Sequence, residues 1–463
     1  MKAEYIVLRT NQGNTRDVFT GAATGRDGGY PLAPDPASAQ DFLRNIGNLA
    51  ASPNDLFGSG GRSGRLIGAP AGSAIGAESA FLPTPALTPF MAAPVPAVKI
   101  EVKTLERNAL PYVSSAADVL AVAESVPISL LKEVHDMSGA VAVPLALGHA
   151  SWGVQAVRAD TSPYDGRGIV VAVLDTGIDR THPAFAGIEL IEEDFTDEGN
   201  GDVLGHGTHC AGTIFGRAGP FGRIGIAPGV QRALIGKIIG SKGGGTSARL
   251  AKAMEWAAEN GANVISMSVG IDFTALAKRM EDRLPERVAM SRALEAYRAT
   301  VRLFETVTLS IKAKSVFGSP SIFIAAAGND TDRTAGPEYE LSVTPPANSE
   351  GFMSVGAVGH AEGNTSRMAV ARFSNTGPNI CAPGVDIVSA RPGGDLVAMS
   401  GTSMAAPHVA GVAALWAEKL KRQGQLNAML LSANLFASAS TAVFVPGFDL
   451  YDTGAGMVQA PQV

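Results

Sequence analysis

Short apolar runs with no helical period recur through the chain from about residue 168 onward, and each stops abruptly at glycine or a small polar residue. The clearest is GIVVAVLDTGID, residues 168–179. Successive apolar positions suit a strand covered on both faces, as in a parallel sheet, and this one ends in Asp175, Thr176 and Gly177. SIFIAAAGN (321–329) reads as a further strand, preceded by a long stretch of helical spacing. In the latter, Met290, Leu294, Tyr297, Val301, Phe304, Thr308 and Ile311 recur every three or four residues, while Arg292, Glu295, Arg298, Arg302 and Glu305 fall elsewhere. A charged segment broken at Pro285 precedes it. The Ala, Val and Leu content of residues 404–420 predicts a buried helix that starts near Gly401, with Pro407 tolerable only close to its first turn.

The ends of these elements carry the polar chemistry. Ser403 sits in GTSMAAPHVAG (401–411), at the mouth of the last helix. Unpaired N–H groups and the positive end of the helix dipole there favour negative charge on a bound carbonyl oxygen. A serine in that setting is also an ordinary N-cap or packing contact, so a nucleophile needs a base and a carboxylate to hold the base. Asp175 ends a strand at the edge where open α/β sheets build sites. His206 lies in GHGTHCAGTIFG (205–216), ahead of a short buried helix, among residues small enough for close backbone approach. Asn329 ends its strand with an amide that can donate to a tetrahedral oxyanion, an interaction of about 3–4 kcal/mol where one such donor has been removed. Taken singly, Asp175 reads equally as a cap and Asn329 as a turn residue.

Two other chemistries use the same residues. His206, His209 and Cys210 share a helical segment, but no second His/Cys cluster stands at a usual metal-site spacing and Cys381 is alone, so no metal is expected. Gly243, Gly244 and Gly245 could cradle a phosphate, yet neither the trailing Gly-Lys-Ser/Thr nor the dinucleotide spacing is present.

The four blocks VAVLDTGID, HGTHCAG, AAAGN and GTSMAAPH, in that order, resemble those of the subtilisin-like serine proteases, the subtilases. The resemblance covers roughly residues 150–463. It implies a three-layer α/β fold around a mostly parallel sheet, and a serine endopeptidase working through an acyl-enzyme. In it Asp175 orients His206, His206 takes the proton of Ser403, and Asn329 with the Ser403 N–H holds the oxyanion. It further implies an extended polypeptide substrate paired between two walls, Gly243, Gly244 and Gly245 on one side and Ser268, Val269 and Gly270 on the other. Residues 325–328, including Ala326 and Gly328, would line the first pocket with 268–270, and Thr344 would begin its floor. With no acid there, a neutral, small-to-medium apolar residue is expected before the cut. A catalytically silent peptide binder is the alternative, opposed by the presence of all four chemical positions.

The chain departs from the family pattern twice. Ala184 stands where many members carry an acidic residue, so no cofactor is expected to be required and the usual strong calcium site should be missing; the acidic run 192–202 is either another calcium site or a solvated loop. Residues 271–314 form a helical insertion, read as a lengthened outer helix or as a docking arm for a partner or for the chain's own N-terminal region.

Composition changes this picture little. At 463 residues there is room for one large domain and something smaller, and a net charge of −6 argues against nucleic acid as a partner. Residues 2–10 read as a strand that resembles the opening of a subtilase propeptide, and residues 11–97, rich in Gly, Ala, Pro and Ser, as linker. A small α+β unit is expected over 98–149, with a strand at 99–105, a helix at 115–125 and a helical turn or two at 128–134. It would act as prodomain, intramolecular inhibitor or chaperone and be cleaved between about 144 and 152, with a permanent N-terminal extension as the alternative. No secretory signal or membrane span is visible, and two separated cysteines make no disulfide framework. These features favour a cytoplasmic enzyme, with secretion by another route as the alternative.

Overall fold

The structure, a computed structural model, describes residues 2–10, 98–131, 149–219, 222–314 and 319–463. Its centre is an eight-stranded sheet. The strands are β5 (Val170–Asp175), β6 (Glu189–Asp194), β7 (Arg232–Lys237), β9 (Val264–Met267), β11 (Ile322–Ala326), β12 (Phe352–Ala361), β13 (Asn364–Val370) and β14 (Ile380–Pro383), in the order β13-β12-β11-β9-β5-β7-β6 with β14 also paired to β12. Every pairing is parallel except β12 with β13. Because side chains alternate along a strand, Val171 and Val173 enter one apolar layer while Ala172 and Leu174 enter the other. Both faces are buried, which explains the uninterrupted apolar runs.

One layer holds α1 (His206–Phe215) and α5 (Thr402–Arg422), packed against each other and beneath the sheet. The opposite layer holds α2 (Ser247–Glu259), α3 (Phe273–Glu281) and α4 (Glu286–Lys314). Strand order reverses around β5 and β9, so β5 leads outward to β6 and β7 on one side, and β9 to β11 and β12 on the other. A crevice opens at the carboxyl ends of strands where such a sheet switches direction, and Asp175 and Asn329 lie there.

The long helix forms as expected, but its buried face is not the one its large apolar residues suggest. Met290 and Leu294 are 44% and 59% exposed, while Ala289, Ala293, Ala296 and Thr300 are buried. Small residues let the first half of α4 approach its neighbours closely; the larger Leu303, Phe304, Val307 and Ile311 fill the second half. Part of what α4 covers is the N-terminal unit.

That unit is an antiparallel sheet of β1 (Lys2–Thr10), β2 (Val98–Glu106) and β3 (Val119–Glu124), with β1 in the middle. Strand β3 corrects the expected helix over 115–125: alanine favours helix locally, but pairing with β1 and burial of Leu120 and Ala123 prevail. β3 packs against α4, Arg107 pairs with Glu295 at 3.2 Å, and Lys314 donates to the Val98 carbonyl. The insertion thus docks the chain's own N-terminal unit. Against the helical turn expected over 128–134, residues 132–134 lie outside the described residues, and residues 127–130 are not helical. They form β4 (Pro127–Leu130), lying between β8 (Gly244–Thr246) and β10 (Val269–Gly270) and antiparallel to both. The linker 11–97 and the expected cleavage region 144–148 fall outside the described residues.

Candidate active site

Strand β5 delivers Asp175 to the crevice, 1% exposed, and α1 begins at His206 directly across from it. Their approach depends on glycine: a Cβ on Gly207 would lie 2.3 Å from the Gly177 carbonyl oxygen, so only glycine lets α1 start this close to β5. His206 Nδ1 meets Asp175 Oδ1 at 2.7 Å, while the other Asp175 oxygen has no hydrogen-bond partner among the described residues. Burial alone would push the imidazole toward its neutral form. The Asp175 carboxylate outweighs burial, with the neighbouring Cys210 acting in the same direction, and holds the His206 pKa well above its ordinary value. Burial pushes the Cys210 thiol up.

The surroundings of His206 are held by residues that have no catalytic signature in sequence. Thr176 accepts from the Gly207 amide at 2.8 Å and donates to Asp202 at 2.8 Å. Asp202 also accepts from the amides of Leu204, Gly205 and Thr208 and from the Thr208 hydroxyl. Glu192 pairs with Arg180 at 3.3 Å and Asp194 accepts from Thr196 and Gly199. The acidic run 192–202, expected as another calcium site or a solvated loop, is tied by these hydrogen bonds to the backbone beside the site.

Ser403 is the second residue of α5 and is 3% exposed; its Oγ has no hydrogen-bond partner among the described residues. Pro407 lies four residues on and has no N–H, which frees the Ser403 carbonyl from the helix ladder. The Ser268 hydroxyl takes it at 3.0 Å and the Cys210 thiol at 3.4 Å. Pro407 thus lets the helix start bond to Ser268, the residue before β10, and to α1.

Asn329 follows the turn after β11. Its Oδ1 accepts from the Thr402 amide at 2.8 Å and the Thr402 hydroxyl at 2.7 Å, and that hydroxyl accepts from the Gly328 amide at 3.1 Å. With the oxygen so engaged, the Nδ2 end turns toward Gly401, 3.0 Å from where a Cβ there would stand. The block before the serine therefore orients the amide, a role of Thr402 that the spacing alone does not reveal.

The predicted walls also come together. Ile128 pairs with Gly245 and Ser129 with Gly244 on one side; Ser129 pairs with Gly270 and Leu130 with Val269 on the other. Gly243 precedes the first wall in a left-handed turn. Leu131 is 7% exposed, and its Cδ2 lies 2.4 Å from the position a Cβ on Gly270 would take, with the Thr344 hydroxyl beside it. Thr344 in turn donates its amide to the Ala327 carbonyl, next to Ala326 and Gly328.

Asp175, His206 and Cys210 bring one ligand atom each within 4.8 Å of one another. The shortest of these approaches is the charge-assisted His206–Asp175 hydrogen bond. His209 turns away: its Nε2 donates to the Ile387 carbonyl at 2.8 Å, and burial lowers its pKa to about 3. It supports the core, as does buried Cys381.

Fold and comparisons together define a hydrolase that acts on polypeptides. The profile of the subtilase family matches residues 166–450. The chain is 31% identical to M-protease from Shouchella clausii over 335 residues, 70% of this chain and 70% of that one. It is 33% identical to subtilisin Savinase from Lederbergia lenta over 58% of this chain and 84% of that one, and 35% identical to a thermophilic serine proteinase from a Bacillus species over 54% and 52%. The chain belongs to the subtilase family and is a serine-type endopeptidase. Among the described residues no helix is long and apolar enough to cross a membrane.

Proposed function

We propose that Ser403 is the nucleophile of this peptidase, that Asp175 and His206 activate it, and that the chain is a precursor whose own N-terminal region fills the cleft until it is cut. In this reading His206 takes the Ser403 proton as Oγ attacks the substrate carbonyl, with Asn329 Nδ2 and the Ser403 N–H receiving the oxyanion. The proton then goes to the leaving amine, and water hydrolyses the acyl-enzyme by the same route in reverse. This chemistry uses only groups of the chain and water.

The observation that carries the precursor reading is β4. An isolated strand of four residues has no reason to lie between two other elements unless their edges recruit it. Here both edges do, in the antiparallel sense, and Ile128 and Leu131 turn into apolar surroundings while Ser129 and Leu130 stay half-buried. This is how a polypeptide substrate would pair. The pattern supports a cut after Leu131, upstream of the 144–152 region expected from sequence, and Leu131 suits a pocket for a neutral, medium apolar residue.

Labelling with an organophosphonate probe, followed by peptide mapping, tests the reading. After limited proteolysis of the N-terminal region the adduct is expected on Ser403 and nowhere else. Absence of that adduct, or an adduct unaffected by replacing Ser403 with Ala, would sink it.

A further inference from the structure

The wall that pairs with residues 127–129 is β8, and the turn that leads into it, residues 240–244, holds three glycines in five residues. Residues 240–244 close on themselves through Gly240 N to Gly244 O and Gly243 N to Gly240 O, both 2.9 Å. At their base the amides of Ile238 and Ile239 donate to the Asp175 carbonyl at 2.9 and 3.2 Å. A chain this rich in glycine samples many conformations unless something outside it selects one.

That something is Glu198. Its Oε2 accepts the Ser241 amide at 2.7 Å, and its Oε1 lies 2.5 Å from where a Cβ on Gly240 would stand, so carboxylate and turn are in close contact. The loop that presents it is itself fixed. Asp194 accepts the amides of Thr196 at 2.8 Å and Gly199 at 2.7 Å, Lys237 donates to the Gly199 carbonyl at 3.1 Å, and Arg249 to the Thr196 carbonyl at 3.4 Å. Asp197 and Gly199, with φ of 65° and 87°, turn the backbone on either side of Glu198. The Ser241 amide lowers the Glu198 pKa, so the group is anionic at neutral pH and its hydrogen bond is charge-assisted.

We propose that Glu198 is a positioning residue of the substrate cleft: it fixes the 240–243 turn and thereby the strand β8 that pairs with substrate backbone upstream of the cut. The proposal rests on the peptidase reading and on Leu131 preceding the cut, which puts residues 127–129, the partners of β8, at the third to fifth places before the scissile bond. It follows that Glu198 matters to long substrates and not to short ones.

The test compares a pentapeptide amide, Pro-Ile-Ser-Leu-Leu with a reporter amine, against an acetyl-leucine ester on the processed enzyme. Glu198→Ala is expected to raise KM for the pentapeptide about five- to ten-fold with kcat within about two-fold, as for loss of one hydrogen bond, and to leave the ester unchanged. Glu198→Asp, too short to reach Ser241, should behave like Glu198→Ala, whereas Glu198→Gln, whose amide oxygen accepts the same N–H, should stay within about two-fold of wild type. Unchanged ester hydrolysis also reports that each variant is folded. Equal losses on both substrates, no loss on the pentapeptide, or a Gln variant as impaired as the Ala variant would overturn the proposal while leaving the peptidase reading intact. A wild-type enzyme inactive on both substrates would remove the reading beneath it as well.

Discussion

At the residue scale the decisive contact is the 2.7 Å bond between His206 and Asp175. Burial by itself disfavours the imidazolium, and the adjacent carboxylate reverses that, so the His206 pKa lies well above the ordinary 6.5. A general base must be neutral, so kcat/KM should climb as pH rises through that pKa, with the acidic limb of the profile on the alkaline side of 6.5. Asp175→Asn removes the anion; the limb should move to lower pH and kcat should fall by about 10⁴-fold. A wild-type limb at or below 6.5, or no acidward shift in the variant, would contradict this. The raised pKa also makes the charged pair a source of stability that is fully present below about pH 6.5 and lost as pH rises through the folded-state value. Of the four residues proposed for the chemistry, Asp175 and Asn329 stand out because the first ends and the second follows an apolar strand, and His206 and Ser403 because each opens a buried helix among small residues. Thr176, Thr402 and Ser268 were not, because a threonine or serine that orients a neighbour looks like any other until that neighbour is known.

At the element scale, two segments read as helix are strands. Residues 119–124 and 127–130 are too short and too alanine- or serine-containing for local preference to decide. β3 is fixed by pairing with β1, more than a hundred positions away, and β4 by two edges of the catalytic domain. The long helix lies where its periodicity predicts, but its first half buries Ala289, Ala293 and Ala296 and not Met290 and Leu294, since close packing of α4 favours alanine over larger residues at the contact. Helix α4 also carries Glu295, whose 3.2 Å pair with Arg107 links it to the N-terminal unit. That pair is exposed, so reversing it with Glu295→Arg should weaken inhibition of the processed enzyme by an added fragment of residues 1–131 only about two- to five-fold, and mostly at low salt. Inhibition unchanged at low ionic strength, or weakened equally at high salt, would show that the contact does not hold the unit.

At the scale of the whole molecule, the N-terminal unit and the catalytic domain share one apolar layer: Ile6, Leu8 and Ile128 pack in the same cluster as Leu174, Met254 and Phe304. The unit pairs through β4 with β8 and β10, and Leu131 packs beside Gly270 and Thr344. The purified wild-type chain is expected to mature with Lys132 as its first residue, read by N-terminal sequencing. Leu131→Asp, which brings a charge to an apolar pocket, should slow that step about 100-fold and let the full-length chain accumulate. Maturation of the variant at the wild-type rate, or a wild-type N-terminus elsewhere, would refute the assignment of the bond.

What the sequence determined by itself was the chemistry and the architecture that presents it. Apolar runs of strand length with polar residues at their ends specify a buried parallel sheet, and glycines at close approaches specify where the active groups meet; both are local properties that survive in a linear text. Which segment pairs with β8 and β10 follows instead from tertiary contacts. Four residues of Pro, Ile, Ser and Leu have no conformation of their own, and the unpaired edges of β8 and β10 impose one on them. The same holds for the acidic run after β6: its charge was visible, but that Glu198 and Asp202 brace the cleft follows from distances between residues far apart in the chain.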